Sequence, residues 1–72
     1  MKYEKEINQM LKDLFYEEWM SEENFIEFKQ EFLKQSGITM KKLDHEVQAG
    51  VDNGISVEDQ MEISKRAFNT LH

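Results

Sequence analysis

The chain has no cysteine, no proline and only three glycines among its 72 residues. Without cysteine there is no disulfide staple and no thiolate metal site. Without proline, long uninterrupted helices are permitted. No stretch approaches the ~18 consecutive apolar residues of a membrane span. The opening MKYEKEINQM holds no apolar signal-peptide centre, which predicts a cytoplasmic chain. Histidine is scarce, with only His45 and His72. Basic residues are few as well, and nine Lys and Arg face fifteen Asp and Glu. A chain with that balance is repelled by phosphate backbones and anionic lipid, so neither direct nucleic-acid binding nor membrane-surface binding is expected.

What is present is a concentrated acidic stretch. Between Asp13 and Glu31 lie Asp13, Glu17, Glu18, Glu22, Glu23, Glu27 and Glu31 against Lys29 alone, and this segment carries the whole net charge of -6. The rest of the chain is balanced. Phe15, Tyr16, Trp19, Phe25 and Phe28 are interleaved with these acids. Read as helix, Asp13 with Glu17, Glu18 with Glu22, Glu23 with Glu27, and Glu27 with Glu31 are like-charge pairs at i,i+4, each costing about 0.2–0.5 kcal/mol. Solubility alone does not require that clustering.

At 8.6 kDa there is room for one core, so residues 1–72 are read as one domain. The apolar periodicity is helical throughout, predicting an all-α, compact three- or four-helix domain. Tyr3, Ile7, Met10, Leu11, Leu14 and Phe15 form the stripe of a first helix from about Lys2 to Met20. Ser21 is an N-cap for a second helix carrying Phe25, Phe28 and Phe32, which Gly37 closes. Thr39 caps a third, with Ile38 and Leu43 as a hydrophobic staple and Met40, Leu43, Val47 and Val51 as its stripe. Asp52-Asn53-Gly54 is a turn. Ser56 and Asp59 make a capping-box start to a last helix built on Val57, Met61 and Phe68, with Ile63 and Leu71 flanking.

Catalytic chemistry finds little support. A nucleophile needs an oriented base, and successive residues in Asp44-His45-Glu46 point in different directions along a helix. The chain is read as a non-enzyme without cofactors. Aligning Gly54 with the glycine of a calcium loop puts Ala49 and Val51 at ligand positions, so no metal site is expected. Leu43–Val51, the Asp-Asn-Gly turn and Ser56–Leu71 have the outline of a helix-turn-helix transcriptional regulator. Glu58, Asp59 and Glu62 would then face phosphates on the recognition helix. That reading and a structural or assembly subunit are the alternatives.

Partner binding is the leading expectation, because Tyr and Trp dominate interface hot spots and Tyr16-Glu17-Glu18-Trp19 sets both beside carboxylates. Asp13, Tyr16, Glu17, Glu18, Trp19, Glu22, Glu23, Glu27 and Glu31 are the candidate partner-binding residues. On one straight helix the segment's six net charges would span about 27 Å, or one per about 4.5 Å, near the ~3.4 Å per phosphate of one DNA strand. In length, acidity and this stretch the chain resembles the small acidic DNA-mimic proteins with which bacteriophages inhibit host machinery. That resemblance implies action in the host cytoplasm on the basic surface of a sliding clamp, a nucleoid protein or RNA polymerase. Asp13-Leu14-Phe15 is also similar to the end of the clamp-binding pentapeptide, but Leu11-Lys12 departs from it and the helix stripe accounts for Leu14 and Phe15. Chain length without a staple further predicts a homodimer, paired through Phe25, Phe28 and Phe32 or through the Met40–Val51 helix.

Overall fold

The computed structural model describes residues 1–71; His72 and the side chain of Leu71 lie outside the described residues. Four helices follow one another: α1 (Glu4–Phe15), α2 (Glu22–Ser36), α3 (Met40–Asp52) and α4 (Val57–Leu71). Among the described residues there is no strand.

Side-chain caps account for three of the four starts. Ser21 Oγ accepts from the Asn24 N–H, Thr39 Oγ1 from the Lys42 N–H and Ser56 Oγ from the Asp59 N–H, each at 3.1 Å. Two glycines with positive φ make the stops. Gly37 (φ 68°) donates to Lys34 O while Ile38 donates to Leu33 O. Gly54 (φ 85°) donates to Val51 O while Ile55 donates to Gly50 O. Each pair of bonds captures carbonyls that the helix end would leave without partners, in a left-handed closure that a side chain at the glycine would strain.

The first helix departs from expectation, because it ends at Phe15 and not near Met20. Tyr16 is extended (φ −72°, ψ 127°), and its N–H closes the last turn on Lys12 O at 2.9 Å. Continuing the helix would have carried Glu18 and Ser21 onto the apolar seam. Breaking it instead lets the Tyr16 ring meet Phe25 edge-on at 5.7 Å and its hydroxyl donate to Met20 O at 2.9 Å. Two of the four like-charge i,i+4 pairs, Asp13 with Glu17 and Glu18 with Glu22, therefore do not exist as helical pairs. The straight 13–31 ridge does not form either.

The core is built mainly by α1. Ile7 and Leu11 are 1% and 2% exposed, and Tyr3, Met10, Phe25 and Val47 complete the buried cluster. Leu14, Phe15, Met40, Leu43, Val51, Val57, Met61 and Phe68 pack around it, half-buried. Helix packing thus accounts for Leu14 and Phe15 without a clamp peptide. Helices α1, α3 and α4 approach one another closely. Gly50 of α3 lies against the Gln60 side chain of α4, which donates to Val47 O at 3.1 Å and Ile55 O at 3.2 Å. Tyr3 ties α1 to α3, its N–H donating to Asp44 Oδ1 at 2.6 Å and its hydroxyl to Gln48 Oε1 at 2.9 Å.

Helix α2 stands further off and reaches the others through long side chains. Phe28 and Phe32 meet Phe15 at 5.5 and 5.0 Å, and Phe32 meets Phe68 at 5.7 Å. Lys29 donates to Asn8 Oδ1 at 2.8 Å. The radius of gyration, 12.4 Å, slightly exceeds the ~11 Å of a tightly packed chain this long. Phe25 is 3% exposed, buried in its own protomer, and so cannot serve as a pairing residue in the expected dimer. Val47 of α3 is buried as well.

Candidate functional site

The six-residue connector 16–21 makes a corner between α1 and α2, and its conformation is fixed from both sides. The Tyr16 ring packs edge-on against Phe25, and the Lys12 ammonium caps the pair, 5.7 Å from the Tyr16 centroid and 5.9 Å from that of Phe25. The Met20 N–H donates to Glu17 O at 3.0 Å, and the half-buried Met20 side chain packs on the core. Trp19 lies in the turn so formed and is 74% exposed, the most open large hydrophobic side chain among the described residues. Tyr16 is 39% exposed, so both aromatics singled out from the sequence stand at the surface.

The nine candidate residues are all exposed, but the structure separates them by electrostatic state. Glu22 is paired with Lys12 at 2.8 Å, across the α1–α2 junction. Asp13 accepts from Gln9 at 2.9 Å and lies 3.4 Å from the Lys65 ammonium of α4. Glu31 accepts from Gln35, a neutral partner, at 3.1 Å. Among the described residues Glu17, Glu18, Glu23 and Glu27 make no side-chain hydrogen bond or ion pair. Of the candidate carboxylates, these four and Glu31 carry charge that is not compensated by a cation.

Helix geometry arranges them in two groups. Glu17 and Glu18 immediately precede Trp19 at the corner. Glu23, Glu27 and Glu31 recur every four residues along α2, about 6 Å apart, on the side roughly opposite the buried Phe25 and Leu33. That spacing is wider than the phosphate repeat along a DNA strand. The charge is therefore a corner cluster joined to a short helical row, in place of one 27 Å line.

Sequence reasoning did not identify the partners that quench Glu22 and Asp13. Lys12 and Lys65 lie ten and fifty-two residues from them, beyond any helical spacing rule. It also passed over Ile26, 46% exposed on α2 beside this row. Lys65 is clamped, bridging Glu62 at 2.9 Å as well as Asp13. Its ammonium is held above its ordinary pKa, foremost by the Glu62 hydrogen bond; partial burial opposes this and Asp13 adds to it.

For chemistry other than binding, the described residues offer little. Asp44 is engaged by the Tyr3 N–H and not by His45. The other candidate base, His72, lies outside the described residues. Among the described residues no group of three or more His, Asp or Glu side chains converges as a metal site would require. No described helix is long and apolar enough to cross a membrane. No protein-family model, no curated protein and no solved structure matches this chain.

Proposed function

We propose that this protein is a non-catalytic binding module that docks its acidic α1–α2 corner and the outer face of α2 onto a basic surface of a nucleic-acid-handling protein, excluding DNA. The observation that carries the reading is Trp19, 74% exposed on a pinned turn directly after the uncompensated carboxylates Glu17 and Glu18. Carboxylates steer the encounter with a cationic surface, and a large ring provides the contact that slows dissociation. Glu23, Glu27 and Glu31 extend the charge along α2. The resemblance to phage DNA-mimic inhibitors points to a sliding clamp, a nucleoid protein or RNA polymerase as the class of partner. Mimicry here is of a patch of charge, since the acids follow no single line.

Self-association is a separate proposal. With Phe25 and Val47 buried, pairing falls to Phe28 and Phe32 or to the remaining residues of the Met40–Val51 helix. A sedimentation-equilibrium mass near 8.6 kDa at every loading removes it.

The helix-turn-helix alternative keeps one supporting feature, the four-residue connection between α3 and α4 with Gly54 in it. Against it, Glu58 and Asp59 occupy the first turn of the would-be recognition helix. Fluorescence anisotropy of a labelled duplex separates the readings. Displacement of the duplex from a nucleoid protein or clamp, with no binding to duplex alone, supports the proposed function. Retention of duplex by this chain alone at physiological salt overturns it in favour of the alternative.

A further inference from the structure

On the flank of α1 away from α2, a groove of about 670 Å³ runs between α1 and α4. The two helices point the same way there, since Asp13 meets Lys65 and, further on, Phe15 meets Phe68. The α1 lining extends from Glu6 to Asp13, about 10 Å or two helical turns, with Lys2 and Tyr3 just before the helix at its near end. Its floor is apolar, formed by Tyr3, Met10, Val57 and Met61. Val57 and Met61 are only half-buried. Unbranched methionines on both walls can adapt to an inserted side chain.

The rims are acidic. Glu6 stands on the α1 side and Glu58 on the α4 side, both exposed and, among the described residues, without an ion-pair partner. The two cations of the lining are already engaged: Lys65 by Glu62 and Asp13, and Lys2 over the Tyr3 ring at 5.4 Å. An apolar trough about two turns long between uncompensated carboxylates fits an amphipathic helix with a row of small or medium apolar side chains flanked by lysine or arginine. A second copy of this chain is a poor occupant, because its own net charge of -6 meets acidic rims.

We propose that the α1–α4 groove is a docking site for a basic amphipathic helix of a partner protein. The site is separate from the Trp19 corner and does not depend on the function proposed for it. It would allow the chain to hold a basic helical segment while the corner remains open.

The test uses the full chain, isotopically labelled for amide and methionine methyl NMR. It is titrated with amidated peptides of about twelve residues carrying Leu, Met or Phe at i, i+3, i+4 and i+7 with lysines flanking. The same peptides with glutamate in place of lysine are the control. Saturable shifts at Glu6, Gln9, Glu58 and the methyls of Met10 and Met61, with at least one lysine peptide and with none of the glutamate set, are expected. The exposed double variant Glu6→Lys/Glu58→Lys should weaken that binding by about tenfold or more, with its own spectrum still dispersed. Glu17→Gln/Glu18→Gln, at the corner, should leave it unchanged. Shifts centred on Trp19 and the outer face of α2, equal binding of glutamate peptides, or no saturable shift with millimolar peptide each overturn the proposal.

Discussion

The trio α1, α3 and α4 and the single helix α2 are held by different means. In the trio, helices approach closely over Ile7, Met10, Leu11 and Val47, and the polar ties include bonds between backbone and side chain, Tyr3 to Asp44 and Gln60 to Val47 and Ile55, besides Tyr3–Gln48 and Lys65–Asp13. Helix α2 is attached by phenylalanine rings, by the buried Phe25 and by two polar links to α1, Lys29–Asn8 and Lys12–Glu22. The acids and aromatics proposed for partner binding belong to the less closely packed part. Interaction surfaces are commonly drawn from such low-stability regions, where fewer buried contacts oppose adjustment on binding.

That division can be broken most forcefully at Leu11. Leu11→Ala leaves a cavity where α1 meets the rest of the core, costing about 2–5 kcal/mol, a large share of what a domain this size has. Chemical denaturation should show a lowered midpoint or outright unfolding. A loss below about 1 kcal/mol would mean that α1 is not the wall of the core.

The α3–α4 contact gives a sharper test because its sign reverses with background. A Cβ at Gly50 would collide with the Gln60 side chain and displace its two hydrogen bonds, each worth about 0.5–1.5 kcal/mol. Alanine also gains about 0.5–1 kcal/mol over glycine within a helix. Gly50→Ala should therefore destabilise the natural chain by about 1 kcal/mol and stabilise the Gln60→Ala variant by a similar amount. Additive effects in a double-mutant cycle would show that the two side chains do not meet.

Much of the fold was legible because it is written in local chemistry. Ser21, Thr39 and Ser56 announce helix starts by their hydroxyls, and Gly37 and Gly54 announce stops by their backbone freedom. The end of α1 was not legible. Tyr16, Glu17, Glu18 and Trp19 are all tolerable in a helix, and what breaks it is a tertiary event, the seating of Tyr16 on Phe25 with its hydroxyl on Met20 O. The same limit explains the site. Exposure of Tyr16 and Trp19 followed from their acidic neighbours, whereas the ion pairs of Glu22 and Asp13 depend on how helices distant in sequence meet. Phe25 looked like an interface residue because its spacing matches Phe28 and Phe32, and only the packing of α2 on α1 separates them.

At the junction of the two regions, Glu22→Gln removes the exposed Lys12–Glu22 pair and should cost about 0.2–1 kcal/mol. A larger loss in thermal melting would show that this pair, and not the rings, holds α2 in place.

The smallest effect is a pH dependence within the trio's own rim. Because the Lys65 value is raised on folding, its stabilising contribution is complete below the unfolded value of about 10.4 and is lost as pH rises through the folded value. The difference in urea midpoint between the natural chain and Lys65→Met should be constant from neutral pH to about 10 and shrink above it. A difference that grows with alkalinity would contradict the clamp by Glu62 and Asp13.

The central claim, that the corner and α2 bind a basic DNA-handling protein in place of DNA, is tested most directly by comparing three chains in the duplex-displacement assay. These are the natural chain, Trp19→Ala, and Glu17→Gln/Glu18→Gln/Glu23→Gln/Glu27→Gln, with melting curves for each. The account predicts that both variants stay folded, since every changed side chain is exposed, and that each displaces duplex about tenfold less well or worse, equivalent to about 1.4 kcal/mol. Displacement by both variants at the strength of the natural chain would contradict it, leaving the acidic surface with a solvating role alone.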